Sequence, residues 1–315
     1  MSRGFLFVLT WIFNTLGYHG FFGDICEMKH HFGDFLDREG DYWTIVPNVE
    51  RYAYSASDEI VDKSAVKLLT ISKHDENWEQ VFECYNIEEL TLHDPSKEQV
   101  QSIDKLTQLK RLRVTFFRAN DIEFIGNLSN LEELVLEYVS GFSDLKPLQN
   151  LKKIKSVHFE NLRRVSNFDG LKNIESLRYL HIDGTFDWKQ PIENFNFLEG
   201  LPNLEVFSLG FVITKSEFPV FLPILKLKNL KKIKIGRATF NVKEYAFLEA
   251  AFPNVEGCSW ELCWMYDSNF EFLGKGGGRI NINSPKAKER CDEFIESYQK
   301  MKIESEKMID SYLAN

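Results

Sequence analysis

The sequence lacks a metal-binding cysteine pair, a known catalytic motif and a hydrophobic run long enough to cross a membrane. Its five cysteines are scattered and none forms CxxC, which argues against a zinc site and favours reduced thiols. HExxH, GxSxG and kinase signatures are absent, so we expect no enzyme activity. A net charge of −9 argues against binding nucleic-acid phosphates. We therefore expect a non-enzymatic protein that has no cofactor and no nucleic-acid partner.

One apolar pattern, LxxLxxLxL, recurs along most of the chain. Its clearest copy is Leu128, Leu131, Leu134 and Leu136. The first apolar residue of each LxL pair recurs mostly every 21–27 residues, at Leu69, Leu90, Leu112, Leu134, Val157, Leu180, Phe207, Ile233, Cys258 and Ile280. In LxL both apolar side chains point to one side of a short strand, and stacked strands can bury that side together. The pattern therefore predicts a solenoid.

These repeats resemble those of the leucine-rich-repeat family, whose period is about 20–29 residues. The resemblance implies an α/β solenoid, a horseshoe with a parallel concave β-sheet. Between the strands, apolar residues return every third position, which favours an irregular or 3-10 convex side over long helices. The sequence departs from the family in its Asn ladder, because the expected Asn or Cys positions read Pro95, Phe117, Val139, Leu162, Thr185, Val212, Ala238 and Cys263.

Three regions follow from this pattern. Residues 1–45 are an N-terminal leader or cap, 46–283 the solenoid, and 284–315 a C-terminal capping helix with Ser284 and Pro285 at its start. Residues 1–27 allow three interpretations: a cap on the first coil, a secretion signal ending near residue 17, or an over-extended start with translation from Met28.

The loop 274–278, rich in glycine, lacks GxxxxGK[ST], so we expect a tight turn there and no phosphate site.

The concave face is the predicted binding surface, since its side chains point away from the core. Neighbouring strands place equal repeat positions side by side, about 4.8 Å apart. The candidate partner-binding residues are Arg111, Arg113, Glu133, Glu137, Tyr138, His158, Glu160, Tyr179, His181 and Asp183. Four of them, His158, His181, Glu160 and Asp183, are possible metal ligands. They belong to an array and to no dedicated motif, so we expect neither a metal nor catalysis.

The function predicted from this face is protein–protein interaction. Charged residues around aromatic anchors are typical of such interfaces. The acidic centre favours a basic partner and an inhibitor of the immunity type; the alternative is a secreted or surface-anchored adhesin. We expect a cytoplasmic monomer, and a secreted one if residues 1–17 are a signal peptide.

Overall fold

The computed structural model describes residues 56–314 and, as backbone, strands β1 (Leu36–Glu39) and β2 (Tyr42–Ile45). These two strands pair antiparallel. The rest of the predicted leader lies outside the described residues. So do residues 46–55 and the segment on which the signal and late-start interpretations depend.

Eight strands form one parallel sheet, one strand per repeat. They are β3 (Leu68–Ser72), β4 (Glu89–His93), β5 (Arg111–Thr115), β6 (Glu133–Glu137), β7 (Ser156–Glu160), β8 (Tyr179–Asp183), β10 (Val206–Leu209) and β12 (Lys232–Ile235). Two further short strands, β9 (Gln190–Pro191) and β11 (Val212–Ile213), pair parallel to each other in the longer coils. The predicted parallel sheet is thus confirmed.

The apolar LxL residues form the core between the sheet and the convex side. Leu134 and Leu136 have no exposed surface and pair in register with Val157 and Phe159 of the next strand. Each coil buries its apolar residues only by stacking on its neighbours, which is the physical basis of a solenoid.

The convex side consists of short turns of helix, as the three-residue period predicted. The 3-10 helices are Lys63–Ala65, Trp78–Glu83, Ile103–Lys105, Lys146–Asn150, Asp169–Leu171, Asn196–Gly200 and Leu222–Lys226; two short α-helices are α1 (Lys97–Ser102) and α2 (Glu123–Gly126). Trp78 begins one of these 3-10 helices, and Tyr85, just after the helix, is 79% exposed.

After β12 the repeat changes its architecture. Helix α3 (Val242–Ala251) replaces the 3-10 turn, and β13 (Cys263–Tyr266), β14 (Asn269–Phe272) and β15 (Arg279–Asn281) form a separate antiparallel sheet. The sequence predicted Cys258 and Ile280 in further parallel strands. Cys258 instead lies outside any strand, and Ile280 pairs antiparallel with Phe270. A two-residue turn connects β13 to β14, and a longer turn connects β14 to β15. Tight turns of this kind join antiparallel strands, because parallel strands need a long crossover connection.

Helix α4 (Ala287–Leu313) closes the C-terminal end and packs on α3. Its N-cap is Lys286 without a side-chain capping bond, whereas the sequence predicted Ser284 in that role. The glycine-rich loop is the predicted tight turn: Gly274, Gly276 and Gly278 have φ of +100°, +76° and +81°, which glycine adopts without strain.

Candidate functional site

The strand register brings the predicted site residues into three columns on the concave face. The first column contains Arg111, Glu133, Ser156 and Tyr179; the second Arg113, Val135, His158 and His181; the third Thr115, Glu137, Glu160 and Asp183. All ten candidates lie on β5 to β8 or directly after β6. We call the group Glu137, His158, Glu160, His181 and Asp183 the central cluster.

Two arginines neutralise part of the acidic charge of this face. Arg113, 2% exposed, binds the carboxylate of Glu137, with its Nε 2.7 Å and its terminal nitrogen 2.5 Å from Oε2. Arg111 lies 3.4 Å from Glu133 and 3.8 Å from Glu89. In the third column, Glu137 is therefore ion-paired with Arg113, and the other two carboxylates leave an excess of negative charge.

The negative excess lies at Glu160 and Asp183. Burial, together with the charges of Glu137 and Asp183, raises the pKa of Glu160 to about 7, although Tyr138 donates a hydrogen bond to it. Asp183 accepts the backbone N–H of Phe211. Gly210 makes this possible, because a Cβ there would lie 1.9 Å from Asp183 Oδ1.

The two histidines of the central cluster are stacked, with ring centroids 4.2 Å apart and planes inclined by 12°. His181 is anchored: its Nδ1 lies 2.7 Å from Ser208 Oγ, and its Nε2 lies 3.4 Å from Asp183. His158 is 2% exposed, and neither ring nitrogen has a hydrogen-bond partner among the described residues. Burial, His181 and Arg113 hold the pKa of His158 well below its usual value, so the ring is neutral.

Strand β2 helps to bury this centre. It contacts β7 and β8. Both edges of these strands are already paired with neighbouring strands, and their inner face packs against the hydrophobic core. The contact must therefore fall on the concave face. His158 is 2% exposed on this face, whereas Phe116 and Phe211 at the carboxyl ends of the strands are 49% and 46% exposed.

Four aromatic side chains form a row at these carboxyl ends, which we call the aromatic rim: Phe116, Tyr138, Phe186 and Phe211. Phe116 stacks on Tyr138 at 4.9 Å, and Phe186 meets Phe211 edge to face at 6.3 Å. Phe186 is 86% exposed, Phe116 49% and Phe211 46%. Exposed aromatic groups beside charge are typical of protein interfaces.

The backbone at the rim is left-handed at equal positions of four successive coils. Asp94, Phe116, Tyr138 and Asn161 have φ of +44°, +55°, +55° and +54°. The N–H groups of Phe116 and Tyr138 bond to the carbonyl oxygens of Glu137 and Glu160 on the next strand. Asp and Asn tolerate this conformation, whereas a bulky aromatic residue adopts it only at a cost of about 1 kcal/mol or more.

Parallel strands at each LxL, 3-10 turns between them and a stacked core define a leucine-rich-repeat solenoid. No protein-family model and no curated protein matches the chain. Among solved structures, internalin C2 of Listeria monocytogenes is similar, with 21% identity, 55% of this chain and 72% of that one covered, and a TM-score of 0.37.

Two further structures are similar. TLR13, in a complex with ssRNA13, has 15% identity, covers 56% of this chain and 30% of its own, and has a TM-score of 0.37. A structure of FLRT2 with Latrophilin 3 and Unc5D has 12% identity, covers 71% and 77%, and has a TM-score of 0.38. At these scores the likeness carries no functional argument, and the fold rests on this chain's own repeats and register.

Sequence reasoning identified the columns but missed Phe186, which lies in the longer coil after β8, where no repeat position predicts exposure. Trp188 of the same coil is half-buried, with the guanidinium of Arg163 5.9 Å from its ring centroid. None of the described helices is both long enough and apolar enough to cross a membrane.

Proposed function

We propose that this protein is a non-catalytic binding protein that inhibits a basic partner protein in the manner of an immunity protein. The partner contacts the aromatic rim, with the negative charge of the concave face beside it. In this proposal the aromatic side chains provide most of the binding energy, and the acidic side chains attract the partner electrostatically.

The observation that supports this proposal is the pair Phe116 and Tyr138. Both occupy left-handed positions where the equivalent coils carry Asp94 and Asn161, so folding favours a small polar residue there. An aromatic side chain at a strained and half-exposed position is explained by a role in binding, because strain of this kind concentrates at functional sites.

Electrostatics supports a basic partner. The chain carries a net charge of −9, and the centre of the concave face adds Glu160 and Asp183 next to the rim. Tyr138 connects the two regions through its hydrogen bond to Glu160. Burial, the charge of Glu160 and this hydrogen bond raise the pKa of the Tyr138 hydroxyl to about 12. A field of this sign would accelerate the encounter with a cationic protein and would weaken with added salt.

The test is the double substitution Phe116→Asn with Tyr138→Asn. Each change relieves about 1 kcal/mol of backbone strain, and together they lose about 0.5–1.5 kcal/mol of ring stacking. We therefore expect the free energy of unfolding to stay within about 1 kcal/mol of wild type. Binding to the partner captured by wild-type protein should weaken about ten-fold or more, or about 1.4 kcal/mol.

The matched control is Tyr85→Asn, which removes an aromatic residue that is 79% exposed on the convex side. It should capture the partner from a native lysate as wild type does. Calorimetry at two salt concentrations then measures affinity and its electrostatic part. Equal binding by the double variant, or a captured partner that is acidic, would refute the proposal.

We also propose that the protein works in a reducing compartment, the cytoplasm. Cys84, Cys258, Cys263 and Cys291 are all free thiols, and the first two are buried. The alternative of a secreted adhesin depends on residues outside the described ones. The mass of the mature protein tests it, because loss of about 17 residues, the length of a short signal peptide, would favour secretion.

A further inference from the structure

His158 is a buried polar side chain that the fold does not satisfy. More than about 90% of buried polar groups have a hydrogen-bond partner, and leaving one without a partner costs about 1–3 kcal/mol. The ring of His158 is 2% exposed, and both of its nitrogens lack a hydrogen-bond partner among the described residues. Stacking on His181 fixes the ring plane but uses neither nitrogen. The ring is thus held in place and its lone pair is available to a ligand.

Two carboxylates lie beside His158, where they could bind the same ligand. One oxygen of Glu137, one oxygen of Glu160 and one ring nitrogen of His158 lie within 4.8 Å of one another. Glu137 and Glu160 are register neighbours on β6 and β7, and His158 is two residues before Glu160 on the same strand face. Ligand atoms lie about 2.0–2.2 Å from a bound zinc ion, so the three atoms would move closer together as they bind one ion.

The charges of the site favour a divalent cation. Glu137, Glu160 and Asp183 bring three negative charges when ionised, and Arg113 offsets one of them. Two negative charges then remain, which one divalent ion would neutralise. Arg113 binds Glu137 at Oε2, so the guanidinium and a metal on Oε1 would share this carboxylate from opposite oxygens.

We propose that Glu137, His158 and Glu160 form a binding site for one divalent transition-metal ion of the zinc class. An imidazole nitrogen with two carboxylate oxygens suits Zn²⁺, Fe²⁺ or Mn²⁺, whereas Ca²⁺ and Mg²⁺ select oxygen ligands alone. His158 provides the neutral imidazole that coordination needs. Three protein ligands leave one position of a tetrahedral ion for water or another ligand.

This inference departs from what the sequence predicts. The array contains no ligand motif, and the closeness of the three atoms depends on the register of β6 and β7. Glu160 belongs to both proposals, but partner binding is tested at Phe116 and Tyr138 and zinc binding is tested at His158 without a partner. Either proposal can therefore fail alone.

The experiment is titration of the full-length, chelator-treated protein with ZnCl₂ by calorimetry, with bound zinc counted by mass spectrometry after gel filtration. We expect about one equivalent, retained in excess Mg²⁺. His158→Gln and Glu160→Gln should each weaken binding by more than the 10–100-fold that loss of an outer partner of a metal site costs. The control is His74→Gln, an exposed histidine in the turn after β3, three strands away from β6, which should bind zinc as wild type does.

A second readout needs no substitution. In a nitrogen-15 NMR spectrum, the ring nitrogens of His158 should shift on zinc addition in a one-to-one titration. The proposal is overturned if wild type takes up no stoichiometric zinc, or if the His158 ring does not respond. It is equally overturned if a folded His158→Gln or Glu160→Gln variant binds zinc as tightly as wild type.

Discussion

At the scale of single residues, the least expected group is Glu244, which lies on α3 and is 3% exposed. Its Oε1 accepts the backbone N–H of Val220 at 3.0 Å, so it fixes the segment that leads into the last 3-10 helix. Burial raises the pKa of Glu244 from 4.5 to about 7, although hydrogen bonds from Val220 and Phe221 oppose the rise. Near neutral pH this carboxyl group is therefore partly protonated in the folded protein.

This shift predicts how stability depends on pH. Between about pH 4.5 and 7 the folded state holds a proton that the unfolded chain has released, so stability falls as pH rises. Glu160 contributes with the same sign, because its pKa is also raised to about 7. His158 contributes with the opposite sign below about pH 6.5, because its pKa is lowered in the folded state. Each carboxyl group accounts for about 1–3 kcal/mol. Urea unfolding at pH 5, 6, 7 and 8 should show the decline.

The substitution Glu244→Gln should flatten that decline and raise the free energy of unfolding at pH 8, because it keeps an acceptor for Val220 and removes the buried charge. The companion Glu244→Leu removes the acceptor as well and should destabilise at every pH. A Glu244→Gln variant whose stability declines with pH as steeply as that of wild type would contradict this assignment.

At the scale of elements, helix α4 is firmly attached to the end of the solenoid. It continues to Leu313, and Ser305 and Ile309 in its second half are buried. Tyr298, 1% exposed, donates a hydrogen bond of 2.6 Å to Glu249 of α3. Lys302 binds the other oxygen of Glu249 at 2.9 Å. These contacts cover the last coil, as a terminal cap must.

Removing the Tyr298 side chain should therefore destabilise the whole protein. Tyr298→Ala leaves a large cavity between α3 and α4, and such changes cost about 3–5 kcal/mol. The control Ile303→Ala, at a residue that is 50% exposed, should change stability by less than about 1 kcal/mol. Thermal unfolding measures both.

Deletion of residues 285–315 tests the same element more drastically. It uncovers α3 and the antiparallel sheet, and aggregation should appear in light scattering. A truncated protein that stays monodisperse and equally stable would show that α4 is an addition to the solenoid and not its cap.

At the scale of the whole molecule, the parallel sheet sets the dimensions. Eight strands about 4.8 Å apart extend for about 34 Å, and the antiparallel sheet with α3 and α4 adds to one end. Each coil contacts only its neighbours, so the chain cannot collapse into a sphere.

We predict that the protein is a monomer in solution and more extended than a compact chain of 315 residues. A compact chain of that length has a radius of gyration of about 20 Å, and small-angle scattering should give a clearly larger value. Light scattering on the same sample checks the mass. A radius of 20 Å or less, or the mass of a dimer, would refute this prediction.

The sequence by itself determined the repeat, its register and the three columns of the concave face. Leu134 and Leu136 point inward and Glu133 and Glu137 outward because side chains alternate along a strand, and alternation is a local property. The period of three between strands likewise predicted the 3-10 helices. These features depend on residues within one coil and its neighbour, so pattern alone is sufficient to find them.

Only the tertiary structure decided the charge state and accessibility of the site. The ion pair of Arg113 with Glu137, the stack of His158 on His181 and the raised pKa of Glu160 arise from side chains 23 or more residues apart. The residue at which the parallel repeats end could not be predicted from the pattern either, because Ile280 fits LxL yet pairs antiparallel in a hairpin. Distances, burial and pairing direction are properties of packed coils, and no single repeat contains them.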